Sequence, residues 1–340
     1  MRWQQRIAAG TAFGACPLCR IAGNSAARSA ALSACNLDIT CLEELRQLPC
    51  ISGQDLKEYR DFLCVSQGEV QRIVTLQTSG SAGPPKRLAF SEQDLARTRD
   101  FFSIGMSQLV QPGDRLLVLL PGAQCPDGVA DLLRQALTKA DVAVFSGAAD
   151  LSTLYDELLR RQPHCLVAAP YQLAYLLTKA RTAPDFLAAL HSVRGILSSG
   201  DILDTTLRTA LETTLSCCVL DHYGMTESCF GGGVECPAHD GYHLRELDLL
   251  FEILKPNTNI PVADGETGEL VLTTLHREAM PLIRYRTGDA ACWLPGPCAC
   301  GSPLRRLAPL QGRYCLEQGS PVLRHIPKGG FHARTASPAL

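Results

Sequence analysis

Hydroxyls, glycines and a single lysine crowd into the stretch Thr78-Ser79-Gly80-Ser81-Ala82-Gly83-Pro84-Pro85-Lys86. Ile73-Val74-Thr75-Leu76 before it and Arg87-Leu88-Ala89-Phe90 after it both read as strands. Glycine lets backbone N–H groups turn toward an anion, hydroxyls add donors, and lysine adds a mobile positive charge. Thr78, Ser79, Gly80, Ser81, Gly83 and Lys86 are therefore candidate ligands for a polyphosphate. The loop is not a Walker A sequence, which needs glycine directly before its lysine and a helix directly after it. Here Pro85 precedes Lys86 and a strand follows.

A second chemistry-bearing stretch is Asp221-His222-Tyr223-Gly224-Met225-Thr226-Glu227. It follows Cys217-Cys218-Val219-Leu220, which reads as a buried strand. Open α/β sheets bind ligands at the carboxyl ends of their strands, so this is where a site is expected. Mg²⁺ takes hard oxygen ligands and commonly bridges phosphate and one or two carboxylates, a role open to Glu227.

The first stretch resembles the phosphate loop of the AMP-forming, adenylate-forming superfamily, T-S-G-[ST]-[TS]-G-x-P-K. The second resembles that superfamily's Y-G-x-[TS]-E. By this resemblance Thr226 bonds the α-phosphate, Glu227 helps hold Mg²⁺, and Tyr223 lies along the adenine, with Asp221, His222 and Gly224 lining the nucleotide beside it. Lys86, Thr226 and Glu227 are the implied catalytic set. Arg284-Tyr285-Arg286-Thr287-Gly288-Asp289 resembles [YF]-x-T-G-D, whose aspartate accepts from both ribose hydroxyls, a task a carboxylate's lone pairs allow. Ser198-Ser199-Gly200-Asp201 resembles the segment that lines the adenine pocket, implicating Gly200 and Asp201. Gln311-Gly312-Arg313 resembles the Gly-Arg that ends the large domain, where Arg313 reaches the ribose. The five motifs occur in the superfamily's order. The run Glu278 to Asp289, together with Leu48-Pro49 and Gln111-Pro112-Gly113-Asp114-Arg115, is most similar to the phenylacetate–CoA ligase branch. The resemblance covers about residues 35–313.

That branch also offers a reading for part of the 16 cysteines. Cys236, His243, Cys298 and Cys300 resemble a zinc site found in some members, and Cys₃His is the composition of a closed structural zinc site. His239 competes with His243 for the nitrogen position. Cys16-Pro17-Leu18-Cys19 has no second pair nearby and reads as incidental. The remaining cysteines fit a reduced, cytoplasmic protein, since their density is below that of a disulfide scaffold.

Elements must position these groups. Ser91-Glu92-Gln93-Asp94 reads as a capping-box-like start of a helix reaching about Val110. Short apolar strands near 114–120, 142–145, 165–169, 193–197 and 217–220 alternate with helices near 127–139, 152–161, after Pro170, and 204–214. This is the signature of βαβ units. The expected fold class is α/β: mainly parallel sheet layers with flanking helices, plus a smaller β-rich subdomain with strands near 247–254, 268–275 and 282–285. The expected organisation is a mostly helical segment at 1–72, a nucleotide-binding α/β core at 73–232, a β-rich subdomain with the zinc site at 233–313, and a short tail at 314–340. That tail, rich in Gly, Pro, Arg and His, shows little helical or strand pattern.

The net charge of −2 gives no electrostatic footprint for nucleic acid or an anionic membrane. No apolar run is long enough to span a bilayer.

The resemblance implies ATP-dependent activation of a carboxylic acid to an acyl-adenylate, with transfer to a thiol, either CoA or a carrier's phosphopantetheine. ATP or AMP, Mg²⁺ and a structural Zn²⁺ are the implied cofactors. The chain departs from the pattern in places. Ala82 replaces a hydroxyl residue, Arg87 stands where members often have glycine, and Tyr314 follows Arg313 in place of aspartate. Only 27 residues follow Arg313 in this 340-residue chain, so the expectation is a chain lacking most of the C-terminal lid and its lysine; Lys328 is a poor substitute. The competing reading is a lidless, weakly catalytic adenylate-binding or scaffold protein. In either case a lid-supplying or carrier partner, or a homodimer, is the expected association.

Overall fold

A computed structural model of the chain describes residues 41–76 and 86–325, apart from 58, 127, 148–150 and 318. These residues divide into two units. The first comprises 41–101, 224–233 and 240–324, and the second 102–223, 234–239 and 325.

The first unit opens with helix α1 (Leu42–Gln47) and three short 3₁₀ turns. Strands β1 (Val70–Leu76) and β2 (Lys86–Ser91) follow and pair antiparallel, with Leu76 opposite Lys86. Helix α2 (Glu92–Met106) leads from this unit into the next. Its start is capped as the sequence suggests: Ser91 N donates to Asp94 Oδ2 at 2.9 Å, and Asp94 N donates to Ser91 Oγ at 3.2 Å.

The second unit is the α/β layer. Strands β3 (Arg115–Val118), β4 (Ala143–Ser146), β5 (Cys165–Ala168), β6 (Gly195–Ser199) and β7 (Cys218–Tyr223) run parallel in the order β7-β6-β5-β3-β4. Between them lie α3 (Val129–Leu137), α4 (Leu154–Arg161), α5 (Pro170–Thr182), α6 (Pro184–Ala189) and α7 (Thr205–Leu215). Pro170 sits in the first turn of α5, where its missing N–H costs nothing. Gln172 Oε1 accepts from Ala169 N, and its amide donates to the Leu119 carbonyl, so this helix is tied to the chain leaving β3. Asp204 caps α7 by accepting from Thr206 N and Leu207 N. One face of the sheet packs Leu117, Leu166, Ile196 and Val219 against Leu158, Leu173, Leu176, Phe186, Leu207 and Leu211 of the helices. Each such side chain contributes about 1.5–3 kcal/mol by leaving water. Strands this short and largely apolar need both faces covered, which is why the sequence alternates them with helices.

The remaining strands are β8 (Gly233–Val234), β9 (Tyr242–Leu244), β10 (Leu249–Leu254), β11 (Gly268–Thr274), β12 (Tyr285–Ala291), β13 (Arg306–Leu307), β14 (Gly312–Glu317) and β15 (Ser320–His325). In the first unit they form a five-stranded sheet of order β10-β11-β12-β14-β15 and a β13–β9 pair. The α/β class with a separate β-rich sheet is thus as expected. The described part of the tail is not: residues 312–325 form two strands. Leu316 is 66 % exposed and Gly319 turns with positive φ, so this hairpin buries too little to leave an alternating apolar pattern. No helix among the described residues is long and apolar enough to cross a membrane.

Candidate active site and metal cluster

In the first unit three side chains, Lys86, Glu227 and Tyr285, converge at the start of β2. The Lys86 ammonium pairs with Glu227 Oε1 and donates to the Tyr285 hydroxyl at 3.3 Å. Tyr285 donates in turn to Glu227 Oε1 at 3.0 Å. The Glu227 side chain is only 4 % exposed, so its charge depends on these partners. Burial, and after it the Glu227 carboxylate, pushes the Tyr285 phenol well above its ordinary pKa, so it remains a donor. Glu227 rides on a single 3₁₀ turn, Thr226–Ser228, closed by Cys229 and Phe230 with φ of 56° and 65°. Arg277 locks that turn to β2: its Nη1 donates to the Glu227 carbonyl at 2.9 Å and its Nη2 to the Ala89 carbonyl at 3.1 Å.

Tyr285 is held from behind by its neighbour. Arg284 is fully buried, with φ of +50°, and binds Glu252 of β10 through Nε at 3.0 Å and Nη2 at 3.2 Å. Its Nη1 donates to the carbonyls of Arg46 and Leu48, both at 2.7 Å. The chain after Leu48 then runs beside β12, with Ile51 N donating to Arg284 O and Arg286 N to Ile51 O. That path brings Gly53 against the site. A Cβ there would sit 3.4 Å from the Tyr285 hydroxyl and 3.7 Å from Lys86 Nζ. The sequence reading gave no role to Tyr285, Arg284, Arg277 or Gly53. Only the quoted Arg-Tyr-x-Thr-Gly-Asp run pointed near the first two.

Further along β12, Gly288 turns with φ of +79° and Asp289 accepts from Arg313 Nε at 2.9 Å. Asp289 N donates to Thr287 Oγ1 and Arg313 Nη2 to the Thr287 carbonyl. These are the two groups expected at a ribose.

The second unit carries its candidates at the carboxyl ends of β6 and β7. Ser198 pairs with Asp221 and Ser199 with His222. Ser199 Oγ lies 3.0 Å from His222 Nδ1. Burial drives the His222 pKa down to about 4, so the ring is neutral near pH 7. Asp221 N donates to Glu235, whose carboxylate also binds Arg208 at 2.6 Å. Gly200 has φ of +92°, where a side chain would be strained. Asp201 is exposed and accepts from Ile202 N in its own turn. Tyr223 is buried at the end of β7, where the chain passes to Gly224 and Thr226. Thr78, Ser79, Gly80, Ser81 and Gly83, like Cys16, Cys19 and Lys328, lie outside the described residues.

The cysteine-rich candidate can be followed in the first unit. Ligand atoms of His243, Cys298 and Cys300 lie within 4.8 Å of one another, and His243 Nε2 is 3.4 Å from Cys300 Sγ. Two ligands of a tetrahedral zinc, with bonds of about 2.0–2.1 Å to nitrogen and 2.3 Å to sulfur, stand about 3.5 Å apart. The donor set and its spacing therefore suit zinc. Burial, then the Arg306 charge, lowers the His243 pKa and keeps the ring neutral, as a ligand must be. Cys236 is buried on the segment that leads to Asp240. The competing His239 ring lies 3.5 Å from Glu212 and 3.7 Å from Glu235.

The family model described as AMP-binding enzyme matches residues 66–276. Phenylacetate-coenzyme A ligase of Escherichia coli (strain K12) is 29 % identical over 283 residues, covering 81 % of this chain and 63 % of that protein. The enzyme of the same name from Thermus thermophilus is 28 % identical over 283 residues, covering 80 % and 61 %. The chain thus spans less than two thirds of the length of these relatives. A solved structure of 2-hydroxyisobutyryl-CoA ligase in an open conformation, with 2-HIB-AMP and CoA, superposes with a TM-score of 0.76 at 19 % identity. It covers 95 % of this chain and 73 % of that one, a likeness of fold.

Proposed function

The chain belongs to the AMP-binding enzyme family, and on that premise we propose that it activates a carboxylic acid with ATP and passes the acyl group to the thiol of CoA or of a carrier. A substrate carboxylate oxygen attacks the α-phosphorus, the bond to the β-phosphate oxygen breaks, and pyrophosphate leaves. A thiol then attacks the acyl-adenylate carbonyl and AMP leaves. Both reactants of the first step are anions, so positive charge and donors must screen them.

The observation that carries the reading is the Lys86–Glu227–Tyr285 cluster at the start of β2, directly after the candidate phosphate-loop sequence. Lys86 supplies the mobile charge toward the phosphates, with Thr78, Ser79, Gly80, Ser81 and Gly83 as loop donors and Thr226 as the α-phosphate donor. Asp289 and Arg313 hold the ribose, and Gly200, Asp201 and the Asp221–Gly224 segment line the base. Glu227 is the hard, buried oxygen ligand for Mg²⁺, which when bound neutralises phosphate charge. With Mg²⁺ held at Glu227, Lys86 would be free to turn its charge toward the phosphates.

Zinc, in the same reading, is structural and is held by Cys236, His243, Cys298 and Cys300. A reducing, cytoplasmic compartment suits thiols that must stay free to bind metal. The reading is tested by pyrophosphate release from ATP and Mg²⁺ over a panel of carboxylates, phenylacetate included, with and without CoA. Release that depends on one class of acid and disappears in Lys86→Ala supports it. No release with any acid, together with no nucleotide binding by calorimetry, refutes it.

A further inference from the structure

Arg306 is a charged residue buried to 3 % exposure that has no part in the adenylation reading. It stands directly opposite His243 in the antiparallel β13–β9 pair. Residues so paired project their side chains from the same face, with Cβ atoms about 4.5–5.5 Å apart. The Arg306 guanidinium therefore shares a face with the His243 ring.

Its hydrogen bonds join two separate loops. Nη1 donates to the Asp240 carbonyl at 2.9 Å and also binds the Asp240 carboxylate, three residues before His243. Nη2 donates to the carbonyls of Pro295 and Gly296, both at 3.1 Å, just before Cys298. The loop before His243 approaches so closely that a Cβ on Gly241 would meet the Leu307 carbonyl at 2.3 Å. Three thiolates around a divalent ion leave a net negative charge in a largely buried place. A fixed guanidinium on the same face offsets it, whereas a lysine could not span both loops with one planar fork.

We infer that Arg306 is a positioning residue of the metal cluster: one guanidinium sets the His243 loop and the Cys298–Cys300 loop at ligating separation and balances the thiolate charge. The inference rests on the zinc reading, and the experiment separates the two. Zinc is removed from the full chain with a chelator and returned as the bare ion, in competition with a chromophoric chelator. This is done for the wild type, Arg306→Met, Arg306→Lys and Asp240→Asn. Melting is followed with and without zinc.

Wild type should take up one equivalent. Arg306→Met should bind it about 10–100-fold more weakly, as expected on loss of an outer-shell partner, and Arg306→Lys should fall between. Asp240→Asn, which keeps the guanidinium, should weaken binding only a few-fold, and it carries the test if Arg306→Met does not fold. The zinc-induced rise in melting temperature should shrink in the same order. Unchanged affinity in Arg306→Met, or in Asp240→Asn if the former does not fold, would overturn the inference. So would equal destabilisation of the metal-free and zinc-loaded forms, which marks a purely structural buttress. A wild type that takes no zinc removes the metal reading and this inference together.

Discussion

Asp289 and Arg313 stand opposite one another in the β12–β14 ladder, and Arg313 Nε donates to Asp289 Oδ1 at 2.9 Å. Arg313 is half exposed, so the pair adds little stability. Its consequence is orientation, because the carboxylate can turn only as far as this bond and the Thr287 turn allow.

Asp289→Ala should therefore weaken ATP or AMP binding by about 1–3 kcal/mol, the cost of unpairing hydroxyls from a charged acceptor, while leaving the melting temperature nearly unchanged. Calorimetric titration of both proteins, with and without Mg²⁺, is the measurement. Equal affinity in the variant would mean that the ribose binds elsewhere.

Tyr285→Phe removes one of two donors to the buried Glu227 oxygen and leaves Lys86 in place. A net loss of about 0.5–1.5 kcal/mol is expected, up to roughly tenfold in adenylation rate. Lys86→Met strands the Glu227 charge and should cost more, about 3–5 kcal/mol of stability without cation. Added Mg²⁺ should recover part of that loss for Lys86→Met and little for Tyr285→Phe. Thermal melts across a Mg²⁺ series test the contrast.

Arg284 and Glu252 form a buried pair with two bonds between them. Arg284→Met leaves the Glu252 carboxylate with only the more exposed Arg46 at 3.7 Å, and Glu252→Gln leaves the buried Arg284 guanidinium without its carboxylate. Each should cost about 3–5 kcal/mol, whereas the double variant should cost less than the sum. Denaturant unfolding of the three proteins gives the coupling. Additive losses would show that the pair does not act as one unit.

His222 makes stability depend on pH with a definite sign. Its folded pKa of about 4 lies below the ordinary histidine value of about 6.5, so the unfolded chain takes the proton first. The stability it contributes is fully present above about pH 6.5 and falls away as pH drops toward 4, by on the order of 2–3 kcal/mol. A neutral ring can also accept the Ser199 hydroxyl at Nδ1, which a protonated ring cannot. Urea melts of wild type and His222→Gln at pH 7.5 and 5 should show a smaller pH effect in the variant.

Cys298→Ser should lose zinc and lower the melting temperature, and metal analysis of untagged protein should give close to one zinc per wild-type chain. Unchanged zinc in the variant would exclude Cys298 as a ligand.

Sequence alone determined the α/β layer, because its strands are short, largely apolar runs that need helices against them, and residues such as Ser91, Pro170 and Asp204 mark helix starts. Asp94 and Ser91 bond as their spacing implies, and β3 to β7 lie within a few residues of their expected positions. Lys86, Glu227 and Asp289 were legible because their chemistry is written in neighbouring residues. The hairpin of residues 312–325 was not, since it is largely exposed and shows no apolar alternation. Nor were the roles of Tyr285, Arg284 and Arg306. Each takes its meaning from a partner far along the chain: Glu227 for Tyr285, Glu252 and Leu48 for Arg284, Asp240 for Arg306. Strand register and loop closure bring those partners together, and both are fixed by the packing of the whole unit rather than by any local run of residues.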